Sequence, residues 1–116
     1  MENRIFHLQE EMLKNLQHKW TIEEMSKITN LSIRHFQKTF KTITAISPIM
    51  WLREKRLEKA LELLEATSEQ INQIGLKVGM LDDSHFTRNF KKKYGITPTE
   101  YRKQSLEKLK AEREIE

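Results

Sequence analysis

Apolar residues recur three or four positions apart along most of the chain, and only three Gly and two Pro interrupt them, which predicts an all-α fold with short connections. Ile5, Leu8, Met12 and Leu16 mark a first helix over about 4–18. Thr21 and Glu24 have capping-box spacing and open a second helix over 22–29, with Ile22, Met25 and Ile28 inward. Ser32 caps a third helix that runs to about Thr42. Ser47 and Pro48, a cap followed by a proline where no amide is needed, open a fourth helix to about Ala66. Its Trp51, Leu52, Leu57, Ala60, Leu61 and Leu64 supply apolar surface along the whole rod, which at 1.5 Å per residue is about 27 Å long. Ser68 and Glu69 begin a fifth helix over 69–78, which Gly79 ends with a left-handed cap. Asp82 caps a sixth over 83–94, closed by Gly95, and Thr97, Pro98 and Glu100 combine capping box and leading proline for a seventh. The charged tail, 104–116, is expected to fray.

The helices contain a repeat. HFQKTFKTITAISPIMW at 35–51 returns as HFTRNFKKKYGITPTEY at 85–101, with His35/His85, Phe36/Phe86, Phe40/Phe90, Lys41/Lys91, Ile46/Ile96 and Pro48/Pro98 identical. Lys38 stands opposite Arg88, Ser47 opposite Thr97 and Trp51 opposite Tyr101. Upstream the register fails, because the turn before the sixth helix is one residue longer than the turn before the third. A unit present twice implies two contacts with a repeating partner, and basic helices most readily meet such a partner in duplex DNA.

Charge sharpens that picture. The net charge is only +4, from 21 Lys plus Arg against 17 Asp plus Glu, and alone argues little. Its distribution says more: no acid lies between Glu24 and Glu54, where Lys27, Arg34, Lys38, Lys41 and Arg53 stand, and none between Asp83 and Glu100, where Arg88, Lys91, Lys92 and Lys93 stand. The absence of cysteine excludes disulfides, thiolate chemistry and Cys-ligated zinc. No apolar run reaches membrane-spanning length and the N-terminus lacks signal-peptide features, so a cytoplasmic protein without membrane contact is expected.

Placing residues at about 100° intervals separates the faces of the third and sixth helices. Phe36, Phe40 and Ile43 fall inward in one, and Arg34, Gln37, Lys38 and Lys41 outward; Phe86 and Phe90 fall inward in the other, Ser84, Thr87, Arg88 and Lys91 outward, with Asp83 at the edge. Arg34 and Arg88 have the fork that pairs with guanine O6 and N7, and Gln37 pairs with adenine N6 and N7. Thr87 can donate to a base or press its methyl on thymine, and Asp83 either accepts from cytosine N4 or stabilises the helix N-terminus. Lys41, Lys91 and Lys92, together with Ser32, suit phosphates.

The segment VGMLDDSHFTRNFKKKYGITPTEYR at 78–102 closely resembles the signature of AraC/XylS-type transcriptional regulators, and RLEKALELL at 56–64 is similar to the linker of their DNA-binding domain. The likeness spans about Ile5 to Lys103, with Gly79, Asp82, Ser84, Phe86, Arg88, Phe90, Lys91, Gly95, Pro98, Tyr101 and Arg102 at the pattern's places. It implies seven helices in two helix-turn-helix lobes, about 5–47 and 68–103, joined by a long linker helix over about 48–66. The third and sixth helices would then enter major grooves about 34 Å apart, reading bases through Arg34, Gln37 and Lys38 in one and Asp83, Ser84, Thr87 and Arg88 in the other. Departures are Ser26 and Gly75 in place of alanine, Met80 in place of phenylalanine and Ala45 in place of glycine. Gly75 is expected to cost its helix about 1 kcal/mol relative to alanine, and Ala45 to be strained if left-handed.

The resemblance implies transcription regulation, most often activation, which adds RNA polymerase as a partner. A sensor or dimerisation domain belongs to it if the chain is a piece of a longer protein. No nucleophile, carboxylate pair or metal cluster stands at a catalytic spacing, and His7, His18, His35 and His85 are scattered, so neither an enzyme nor a cofactor site is expected. His35 and His85 are expected beside the packed faces. The rival reading is a helical protein–protein interaction module without DNA readout, using Trp51, the leucines of the fourth helix and the tail. RNA is disfavoured because the outward faces lack aromatic stacking platforms.

Overall fold

A computed structural model describes residues 2–115, which form seven helices: α1 (Glu2–Lys14), α2 (Ile22–Thr29), α3 (Ile33–Thr44), α4 (Pro48–Ala66), α5 (Ile71–Lys77), α6 (Asp83–Tyr94) and α7 (Pro98–Ile115). Most start where a side chain meets the free amides of a first turn. Oγ1 of Thr21 accepts from the Glu24 amide at 3.1 Å, Oγ of Ser32 from His35 at 3.2 Å, Oγ of Ser47 from Met50 at 3.3 Å and Oδ1 of Asp82 from His85 at 2.9 Å. At α7 the capping box closes in both directions, Glu100 amide to Thr97 Oγ1 and Thr97 amide to Glu100 Oε1, each 3.2 Å.

The chain forms two compact units, dividing inside α4 between Arg56 and Leu57. The first packs Ile5, Leu8, Met12 and Leu16 with Met25, Phe36, Phe40, Trp51 and Leu52. The second packs Leu57, Ala60 and Leu64 with Ile74, Val78, Met80, Phe86 and Phe90. The aromatic centres match. Phe36–Phe40 and Phe40–Trp51 meet edge to face with centroids 5.8 Å apart, and Phe86–Phe90 and Phe90–Tyr101 do so at 6.1 and 6.0 Å. Each such contact adds about 0.5–1.5 kcal/mol beyond the area it buries.

Several boundaries differ from the sequence expectation. α1 stops at Lys14 rather than near His18, because the carbonyls that follow find partners outside a helix. Asn15 O accepts from Trp20 Nε1 at 2.9 Å, and Leu16 O and His18 O accept from Arg56 at 2.9 and 2.8 Å. The Glu24 carboxylate meets His18 Nε2 at 2.7 Å instead of reaching back to the cap. Ile28 is 41% exposed. Thr29 takes the inward place on α2, and its hydroxyl stays satisfied by donating to Ser26 O at 2.9 Å. α3 extends to Thr44, and α5 begins at Ile71, after Arg102 has engaged the carbonyls of Leu64, Thr67 and Glu69.

α7 continues through the segment expected to fray, as far as Ile115. No Gly or Pro follows Pro98, and opposite charges four apart, Lys103/Glu107, Lys108/Glu112 and Lys110/Glu114, are a spacing that favours helix.

Candidate nucleic-acid interface

Two helix pairs, α2–α3 and α5–α6, are built on the same turn. α2 ends with Asn30 left-handed at φ 57°; its amide donates to Lys27 O at 3.1 Å and the Leu31 amide to Ser26 O at 3.2 Å. After α5, Gly79 at φ 86° donates to Leu76 O at 3.1 Å and the Met80 amide to Gly75 O at 2.8 Å. These paired bonds consume the last carbonyls of each first helix and turn the chain toward the second. Asn30 thus corresponds to Gly79 and Leu31 to Met80. Ser32 corresponds to Asp82, so the additional residue of the second turn is Leu81, and it is expelled to solvent at 76% exposure.

Gly75 lies where α5 approaches α6. A methyl there would sit 3.1 Å from Met80 O and 3.2 Å from Phe86 Cδ2, so the missing side chain permits the close turn. Replacement by alanine therefore exchanges helix propensity for crowding rather than gaining about 1 kcal/mol.

The second helix of each pair is fixed by its cap and by two buried phenylalanines, Phe36 and Phe40 in α3, Phe86 and Phe90 in α6. The opposite sides face solvent. Arg34, Gln37, Lys38 and Lys41 are exposed on α3, and Asp83, Ser84, Arg88, Lys91 and Lys92 on α6; Thr87 is half-buried at the margin. Ser32 is exposed while capping α3. The structure thus places the predicted residues of each repeat on one side of one helix. The side chains of Arg34, Gln37, Lys38, Lys41, Arg88 and Lys92 make no hydrogen bond or ion pair among the described residues. Positive charge at these positions remains available to an external anion.

Other basic groups are committed to the fold. Arg4 Nη1 donates to Thr29 O at 3.3 Å, covering a carbonyl at the end of α2. Arg56, lowered from the ordinary arginine value by burial, joins α4 to the turn after α1. Arg102 holds the α4–α5 connection. His35 and His85 are exposed rather than beside the packed faces; what each contributes to its cap is its backbone amide.

One position was missed by sequence reasoning. Ile33 opens α3 as Asp83 opens α6, and it is 43% exposed. An isoleucine three residues before Phe36 reads as core, and only the Ser32/Asp82 correspondence reveals its place on the outer edge.

Among known proteins, residues 25–104 match the helix-turn-helix domain family. The chain is 29% identical over 107 residues to the HTH-type transcriptional regulator MtrA of Neisseria gonorrhoeae, covering 92% of this chain and 36% of that protein. The chain spans about a third of the length of the first curated relatives it matches. A transcriptional regulator with an AraC-type DNA-binding domain from Chromobacterium violaceum superposes with a TM-score of 0.82 at 28% identity, over 90% of this chain and 93% of that one. The DNA-binding domain of AdpA, solved in complex with a target DNA, superposes with a TM-score of 0.84 at 22% identity, over 87% and 91% of the two chains, and shares the fold.

Proposed function

Since the chain belongs to the AraC/XylS type of helix-turn-helix domain, we propose that it binds double-stranded DNA sequence-specifically and regulates transcription, with α3 and α6 lying in adjacent major grooves. The reading rests on one observation above others: two helices with the same cap and the same buried aromatic pair each turn outward a set of cations that the fold does not neutralise.

Roles follow from chemistry. The guanidinium groups of Arg34 and Arg88 pair with guanine, Gln37 with adenine, and Lys38, Ser84 and Thr87 with neighbouring base edges. Asp83 accepts from a cytosine amino group. Lys41, Lys91 and Lys92 hold phosphates, and the Ser32 hydroxyl, whose oxygen already accepts the His35 amide, donates its proton to another. Two lobes, about 5–47 and 68–103, contact the DNA, and the linker helix 48–66 gives its first half to the core of one compact unit and its second half to the other. If the chain is a piece of a longer protein, a sensor or dimerisation domain completes the regulator, which works with RNA polymerase as an activator in the cytoplasm.

Fluorescence anisotropy with a random duplex, and with a site selected from a randomised library, tests the reading. Affinity should fall with salt, with a log–log slope of roughly −3 for the three lysine–phosphate contacts, and the selected site should bind more tightly than random sequence. Failure to bind at low salt, or binding indifferent to salt, overturns it.

A further inference from the structure

Ile33 and Asp83 occupy one position in two frames. Each is the first helical residue after a cap, and the caps Ser32 and Asp82 accept the amides of His35 and His85 in the same way. Ile33 is 43% exposed and is not among the residues packed on the first core. A β-branched side chain facing water at the start of a helix serves neither helix propensity nor burial.

When a helix-turn-helix docks, residues at the N-terminal end of its second helix meet the base edges. Gln37 lies one turn after Ile33 on the same side of α3, is exposed, and has no partner among the described residues. The apolar group that a base edge presents in the major groove is the C5 methyl of thymine. Resting on the DNA-reading proposal above, we infer that Ile33 is a specificity-determining residue that packs against a thymine methyl beside the base pair addressed by Gln37. Asp83, in the same frame of the other repeat, offers a carboxylate that rewards a cytosine amino group instead. Corresponding positions of the two repeats therefore select different bases, and the preferred site consists of two unlike halves rather than a tandem copy.

The test begins with a site selected from randomised duplex by the wild-type chain. Each thymine is then replaced in turn by deoxyuridine, which deletes the methyl and nothing else. For the wild type one such replacement costs about four-fold in affinity, the loss expected for one methyl's worth of buried apolar surface. Ile33→Ala loses a similar factor on the parent site and nothing further from that deoxyuridine, with an unchanged melting temperature confirming an intact fold. The inference is overturned if no deoxyuridine weakens the wild type, or if Ile33→Ala keeps the full deoxyuridine penalty at every thymine. A selection that enriches no site at all overturns the DNA reading itself, whereas enrichment without methyl dependence overturns the role of Ile33 alone.

Discussion

Ala45 and Gly95 close α3 and α6 with the same left-handed backbone, φ 73° and 87°, and the same bond back four residues, to Lys41 O at 2.8 Å and Lys91 O at 2.7 Å. Only one of the two is suited to that conformation. Ala45→Gly should stabilise the chain by about 1 kcal/mol by relieving the strain on an L side chain. Gly95→Ala should destabilise it by a similar amount, although a Cβ there would meet nothing within 4 Å, so the cost is purely one of backbone. Urea denaturation of both variants checks the opposite signs.

Arg88 and Lys91 share the outer side of α6 but are expected to differ in kind. Arg88→Ala should cost about 1–3 kcal/mol on the preferred site and little on random duplex, while Lys91→Ala should weaken both alike and reduce the salt slope by about one. Paired titrations on selected and random duplex separate the two. Equal losses for Arg88→Ala on both would remove it from the base readers.

Arg56 and Arg102 predict the converse behaviour. Each donates to carbonyls of a connection, Leu16 and His18 for Arg56 and Leu64, Thr67 and Glu69 for Arg102. Replacing either by methionine retains much of the apolar stem and strands acceptors, which should cost about 1–3 kcal/mol of stability. Sequence preference, measured well below the melting temperature, should not move.

The α7 capping box makes stability depend on acid. The Thr97 hydroxyl and then its amide hold the Glu100 carboxyl below its ordinary value of 4.5, with the charge of Lys91 adding to the effect. A lowered carboxylate contributes fully above its unfolded-state value, and the contribution is lost as pH falls through the lower folded-state value. Wild type should thus lose stability faster than Glu100→Gln between neutral pH and the acid side of 4.5, which urea midpoints measured at successive pH values will show.

Caps and aromatic pairs were legible in the sequence because their chemistry is local. Ser32, Asp82 and the Thr97/Glu100 pair announce themselves within four residues, and the repeat places Trp51 opposite Tyr101 before either is seen against its phenylalanines. The end of α1 was not legible, since its carbonyls are claimed by Arg56, 40 residues away from Leu16. Nor was the inward turn of Thr29 in place of Ile28, because a buried threonine is acceptable only once Ser26 O is known to take its hydroxyl proton. On the candidate site the charged positions could be read from helical periodicity, while Ile33 was hidden by an apolar side chain at core spacing.

Leu81, the additional residue of the second turn, stands at a place where it does little harm. It lies after the bonds that terminate α5 and before the cap that starts α6, so the rotational phase of α6 is set afresh by Asp82. One residue added a few positions later would swing whatever follows by about 100° around the helix axis and carry Arg88 off its face. The same reasoning marks the segment between Asn30 and Ser32 as the place where the first repeat can accept a length change and keep the aim of its outward side chains.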